Sequence, residues 1–298
     1  MTIKEQKEKM SEQKLNDNIR PGFPFSSEQP KVGNEVRVGA VILAGAGPGD
    51  VDLITVKLQK RLAEADVILV DRLVNPEIID RYASKNALTL MTGKQGYHDG
   101  SVAQEDINKL IVGHAKNGKT VLRLKGGDIA FFSNVLDELI ALQENEIPFE
   151  IIPGITAASG ASAYAGIPLT ARGYAKSVQF ITFNPCSHYS PGKWKSLATT
   201  TDTLVFYMAA KSLFDLTEQM LRYSGKPFTP LAVIEQATTE HQRVHITTLR
   251  DCTVDFANKK FSSPSLVIIG EVVKLHQEFN WYAANKSGSV FNKLVNVK

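Results

Sequence analysis

Cysteine is scarce in this chain: Cys186 and Cys252 are the two thiols among 298 residues, and neither sits in a CxxC pair. That leaves no disulfide framework and no zinc site of paired cysteines, and it agrees with a reducing cytoplasm. Long apolar runs are also missing. No window offers about 18 uninterrupted apolar residues, so no transmembrane helix is expected. The leader MTIKEQKEKMSEQKLNDNIRPGFPFSSEQP lacks the apolar core of a secretory signal, and its glutamates argue against a transit peptide. Charge of one sign is absent too: 34 Lys and Arg against 31 Asp and Glu give a net +3, too little to point to nucleic acid by itself. The histidines show no ligand-like spacing, and no metal is expected.

What is present is enough apolar material for a large core. A 43% hydrophobic composition over this length predicts two α/β domains. Residues 1–35 are polar, with Pro21, Pro24 and Pro30 interrupting any helix, and are expected to form a mobile extension. A first α/β domain is expected over 36–152, a second over 153–282, and a polar tail over 283–298. VRVGAVIL, VILV, LTLMT, TVLRL and FEIIP predict the strands of the first. Helices are predicted from Leu53 to Ala65, Gln104 to Lys116 and Leu136 to Asn145, so strand and helix alternate as in a parallel sheet. QFITF, TLVFYM, LAVIEQA, the exposed HQRVHITTL and SLVIIGEVV predict the strands of the second, with a helix from Ser212 to Tyr223. The small-residue run GITAASGASAYAGIP between the halves permits close backbone approach.

Two strands end in loops suited to a ligand. Gly45-Ala46-Gly47-Pro48-Gly49-Asp50 has the look of a dinucleotide loop, with Asp71 ending the next strand where a ribose-binding acid would stand. The spacing is GxGxG, however, and Asp50 occupies the place of the third glycine, where its carboxylate would oppose a pyrophosphate. Lys125-Gly126-Gly127-Asp128 is a second tight loop whose glycines let the main chain touch a ligand, while the carboxylate can accept hydrogen bonds. Taken alone it reads more readily as a plain turn. Met208, at a strand end, reads as core filler or as a wall for a soft ligand.

The order GAGPGD, ADVILVDRLV, GKQGYH, QEDIN, VLRLKGGD, IPFEIIPGITAASGASAYAGIPLT, TLVFYM and SPSLVIIGEVV, spread from Val36 to Trp281, strongly resembles the uroporphyrinogen-III C-methyltransferases of the tetrapyrrole methylase superfamily. The resemblance implies two α/β domains with a cleft between them for S-adenosyl-L-methionine, and a homodimer. It implies two methyl transfers that turn uroporphyrinogen III into precorrin-2, on the way to sirohaem and cobalamin-type corrinoids. It places cofactor contacts at Pro48, Gly126, Gly127, Asp128, Phe131, Thr156, Ala157, Met208 and Ala237. Asp71 matches the family's proton acceptor and Lys94 its proton donor. Tyr97 and His98 are expected near substrate. A substrate with eight carboxylates calls for cations, and Arg72, Lys94, Arg123, Lys125 and Arg172 flank the expected cleft. Other readings are a sister methylase acting on a later corrinoid precursor or on ribosomal RNA, a nicotinamide-type enzyme, and a non-catalytic tetrapyrrole binder.

Three segments depart from the family. GGD usually leads through proline and aromatic residues to Arg-Gly-Gly-Glu-Glu, whereas here it continues as Ile129-Ala130-Phe131-Phe132-Ser133-Asn134. The usual Thr-His-Arg is Thr170-Ala171-Arg172, and a Thr-Gly-His stretch is replaced by Thr182-Phe183-Asn184-Pro185. These changes bear on substrate contacts and leave Asp71, Lys94 and the Gly126–Asp128 loop untouched. The leader is expected to be too short for the dehydrogenase and ferrochelatase module that some relatives carry.

Overall fold

Alternation along the first strand, β1 (Val41–Gly45), sets the layout of the first half: Val41 and Leu43 face one way, Ile42 and Ala44 the other, and all four are fully buried. A strand covered on both sides belongs at the centre of a parallel sheet. The computed structural model, which describes residues 38–92, 104–184, 189–284 and 286–291, shows this arrangement. β1 lies between β4 (Val121–Lys125) and β5 (Phe149–Ile152), while β2 (Val67–Val70) lies between β4 and β3 (Leu88–Met91), and all pairings are parallel. The sheet order is therefore β3-β2-β4-β1-β5.

The helices sort by direction of travel. α1 (Val56–Glu64) and α2 (Pro76–Tyr82) connect strands running outward and pack with Ile42, Ile68 and Leu122 on one face. α3 (Gln104–Lys116) and α4 (Val135–Glu144) connect strands on the return path and pack with Leu43, Leu69 and Val121 on the other. This is the outcome that right-handed crossovers require when strand order reverses, and the reversal opens a crevice at the carboxyl ends.

The second half is a mixed sheet. Its order is β6 (Val178–Thr182), β7 (Thr203–Tyr207), β10 (Ser265–Ile269), β8 (Pro230–Glu235), β9 (Arg243–Thr248). β6 and β7 are parallel, and every other neighbour is antiparallel. α5 (Ala157–Tyr164) packs with Val205, Ala232 and Ile268 on one face. On the opposite face, α6 (Pro191–Thr199) and α7 (Leu213–Tyr223) pack with Phe206, Val233 and Val267. Two short helices complete the set, α8 (Cys252–Asp255) and α9 (His276–Phe279). No described helix is long and apolar enough to cross a membrane.

Several sequence expectations need adjusting. The first strand starts at Val41 rather than Val36, and Gly45, expected in the turn, ends it. SLVIIGEVV is not one strand: it stops at Ile269, and Gly270, at φ 144°, turns the chain into a 3-10 helix over Glu271–Leu275. Residues 286–291, in the segment expected to be a polar tail, are tied to the second half at two points. Gln236 Nε2 donates to Gly288 O at 2.9 Å, and Phe291 is buried. The extension over 1–35 lies outside the described residues.

Candidate functional site

The crevice of the first sheet is built by loops that interlock through their main chains. Gly47 N donates to Gly127 O at 3.0 Å and Gly127 N to Gly47 O at 2.7 Å, so the loops after β1 and β4 form a miniature antiparallel bridge. Gly127 adopts φ 70°, a left-handed conformation open to glycine at little cost. Gly126 serves proximity instead: a Cβ there would stand 2.6 Å from Leu73 O, so a side chain would push away the loop after β2. Asp128 then ties in the loop after β5. Its Oδ1 accepts from Ala130 N at 2.8 Å and its Oδ2 from Gly154 N at 2.7 Å.

The loop after β1 also docks on the second sheet. Asp50 N donates to Thr238 Oγ1 at 3.0 Å, and Tyr164 OH donates to Asp50 Oδ2 at 2.7 Å. Burial, together with this carboxylate, pushes the Tyr164 phenol well above its usual range. The residue standing where a dinucleotide loop keeps its third glycine thus holds the two halves together.

Between the halves lies a cavity of about 390 Å³, within the usual range for a small-molecule site. The first half contributes Pro48, Arg72, Leu73, Gly126, Gly127, Asp128, Phe131 and Phe132. The second contributes Thr156 and Ala157, at the start of α5, Tyr207, which ends β7, Met208 just after it, and Ala237 together with Phe261 and residues 263–266. Tyr207 organises this side: its hydroxyl is 2.7 Å from Thr156 Oγ1 and accepts from Ala158 N at 3.2 Å, satisfying an open donor of the helix start. Burial raises the Tyr207 phenol above its ordinary value.

All nine residues expected to contact a cofactor, Pro48, Gly126, Gly127, Asp128, Phe131, Thr156, Ala157, Met208 and Ala237, line this one cavity. Met208 is not core filler. It is 66% exposed at φ 60°, a left-handed conformation in a non-glycine residue. Phe132 shares this feature, and so do Gln236 and Thr238 on either side of Ala237. Such backbone costs of order 1–3 kcal/mol per residue and gathers at binding sites. Asp71 is half-buried beside the wall. Its two successors, Arg72 and Leu73, line the cavity, and its Oδ1 accepts from Arg72 N at 2.7 Å. Lys94, Tyr97 and His98 lie outside the described residues.

Two of the expected substrate cations need correcting. Arg123 and Lys125 point into the sheet's packed face, 3% and 5% exposed, where both bind Glu138 of α4. Arg123 Nε lies 2.9 Å from Glu138 Oε1, and Lys125 Nζ lies 3.0 Å from Oε2. Burial lowers the Lys125 ammonium pKa, and Glu138 opposes that shift. Arg172 is exposed and off the cavity wall, so Arg72 is the one of these four that lines it. Conversely, Phe132, Tyr207 and the Phe261–Leu266 wall were not expected in the site. Tyr207 and part of that wall fall inside TLVFYM and SPSLVIIGEVV, but as strand residues with no separate signal.

With this geometry in view, comparison with known proteins is direct. Residues 40–253 match the family model described as tetrapyrrole (corrin/porphyrin) methylases. A siroheme synthase of Vesicomyosocius okutanii subsp. Calyptogena okutanii is 43% identical over 259 residues, covering 86% of this chain and 54% of that protein. The chain thus spans about half the length of the curated relatives it matches. A uroporphyrin-III C-methyltransferase from Thermus thermophilus, solved with S-adenosyl homocysteine, superposes with a TM-score of 0.66 at 32% identity, covering 80% of this chain and 100% of that one. A cobalt precorrin-4 methyltransferase of cobalamin biosynthesis gives a TM-score of 0.70 at 25% identity, covering 78% and 95%. By the family match and by these likenesses, the chain belongs to the tetrapyrrole (corrin/porphyrin) methylases.

Proposed function

We propose that this chain is an S-adenosyl-L-methionine-dependent C-methyltransferase that converts uroporphyrinogen III to precorrin-2 by two methyl transfers. The observation that carries this reading is the single cavity gathering all nine expected cofactor residues in a fold shared with a methyltransferase solved with S-adenosyl homocysteine.

The residues present suit such a ligand. Gly127 leaves open the space a side chain would fill, the nearest atom to a Cβ there being Ala157 N at 3.6 Å. Phe131, Met208 and Ala237 offer an apolar wall to a base, while Asp128 and Thr156 offer acceptors to hydroxyl and amino groups. When bound, the group supplies a methyl on a sulfonium, already a good electrophile, so alignment is the protein's main task.

The rigid bridge between Gly47 and Gly127 provides that alignment. The Asp71 carboxylate, whose residue is fixed by its backbone N–H to Leu124 O at 2.9 Å, takes up the proton that the cation formed by methylating a ring carbon must lose. Lys94 is the proposed donor. Arg72, exposed at the cavity rim, meets a substrate carboxylate. A homodimer in the cytoplasm completes the proposal, and the buried Cys252 thiol accords with a reducing compartment.

A second reading, methylation of a later corrinoid precursor, draws on the likeness to the cobalt precorrin-4 enzyme. One assay separates them. The purified chain, given S-adenosylmethionine and freshly reduced uroporphyrinogen III, is expected to yield a tetrapyrrole carrying two added methyl groups by mass analysis. No methylation of uroporphyrinogen alongside methylation of a later precursor would favour the second reading.

A further inference from the structure

Beyond the residues that touch the cavity, a chain of polar groups running from a buried carboxylate to an exposed lysine holds one of its walls. Glu235, the last residue of β8, is 2% exposed. Its Oε1 accepts from Ser262 N, and its Oε2 lies 3.0 Å from His245 Nε2 on β9. On the far side of the imidazole, Lys259 Nζ is 2.7 Å from His245 Nδ1. An ammonium has no lone pair and can only donate. Nδ1 is therefore the acceptor, and the proton of a neutral His245 sits on Nε2, aimed at the carboxylate. Phe256 and Phe261 enclose the ring, with centroids 6.2 Å and 5.6 Å away.

The object held is the stretch before β10. Ser262 stands between Phe261 and Ser263, and both line the cavity along with Pro264 and Ser265. The stretch is irregular, so it has no ladder of its own, and Glu235 supplies the anchor for Ser262 N–H. Next to it, Gln236 N donates to Pro264 O at 2.8 Å, which ties Ala237 to the same wall. Burial by itself would raise the Glu235 carboxyl, but the hydrogen bonds from His245 and Ser262 hold it below the ordinary carboxylate range.

We infer that Glu235, oriented by the Lys259–His245 relay, is a positioning residue that sets the Phe261–Ser265 wall and with it the affinity for the S-adenosyl ligand. The inference rests on the reading of this cavity as the methyl-donor site.

The relay has a direction, and that makes it testable. Glu235→Gln keeps the size of the side chain and the acceptor for Ser262. Its amide, however, donates toward His245 Nε2, which forces the imidazole proton onto Nδ1, against the Lys259 ammonium. Adding Lys259→Met removes that conflict and lets the imidazole change tautomer.

S-adenosylhomocysteine is titrated into the full chain by calorimetry, with circular dichroism checking each variant's fold. Glu235→Gln is expected to bind it roughly five- to tenfold more weakly, the worth of about one hydrogen bond, and Glu235→Gln/Lys259→Met to return within about twofold of the unsubstituted protein. Equal affinity in all three, or no recovery in the double variant, overturns the inference and leaves the methyl-donor reading standing. No binding by the unsubstituted protein overturns the methyl-donor reading and the inference with it. If Glu235→Gln fails to fold, His245→Ala carries the comparison: affinity lower by a similar factor supports the relay, and unchanged affinity overturns it.

Discussion

Glu138→Ala is expected to destabilise the fold by roughly 3–5 kcal/mol, because it strands two buried cations at once. Arg123 and Lys125 are each almost wholly out of solvent, and Glu138, 1% exposed, is the carboxylate both of them reach. Arg123 keeps a 2.7 Å contact from Nη1 to Thr92 Oγ1, and a longer one to Leu69 O, but neutral acceptors do not balance a buried charge. Glu138→Gln, which keeps the shape and loses the charge, should fall in the same direction by a smaller amount. Urea unfolding followed by circular dichroism measures both. A loss below about 1 kcal/mol for the alanine variant would mean that water reaches this group in solution.

The same triad stiffens the region that chemistry uses. Arg123 and Lys125 flank Leu124, whose carbonyl accepts from Asp71 N, and Thr92 closes the end of β3. Asp71 is thus presented by a strand end that cannot drift. Asp71→Asn retains an oxygen for Arg72 N and removes the ability to take up a proton. Its turnover is expected to fall roughly 10²–10⁴-fold, the usual worth of a general base. Its affinity for S-adenosylhomocysteine should change by less than about twofold, since Asp71 is not among the residues that line the cavity. A turnover equal to that of the unsubstituted protein would remove Asp71 from the mechanism, and a matching loss of affinity would give it a binding role instead.

Much of the first sheet was legible because its strands are short apolar runs between strong punctuators. VILV, ending before Asp71, and the helix over Gln104–Lys116, which buries Ile107, Ile111 and Ala115, form where the sequence places them. Helix α2 was missed although Asn75 and Pro76 form a good start signal, its side chain accepting from Glu77 N at 3.1 Å. Seven residues are too few for periodicity to show. Helix α5 was missed for another reason. AASGASAY has no bulky stripe, because the helix lies against Pro48: a Cβ on Gly160 would come within 2.6 Å of that ring. The run was rightly read as a place of close approach, but its helical form follows from packing rather than from propensity.

The expected cofactor residues could be placed together because glycine loops at strand ends follow from sheet topology. The charges could not. Arg123 and Lys125 sit two apart at the end of β4 and therefore share a face, but which face is decided by Val121 packing beneath α3 and α4. Their partner comes from a helix whose rotation the sequence does not reveal. The Glu235–His245–Lys259 relay is hidden for a similar reason: Glu235 and His245 are diagonal neighbours across β8 and β9, and Lys259 reaches them from a loop.

One crystal structure, of the chain with S-adenosylhomocysteine, would decide most directly whether the cavity between the two sheets is where methyl transfer occurs. The ligand is expected over the Gly126–Asp128 loop, between Pro48 and Met208, with its sulfur on the side facing Asp71. Ligand density anywhere outside this cavity, or a sulfur turned away from Asp71, would contradict that placement.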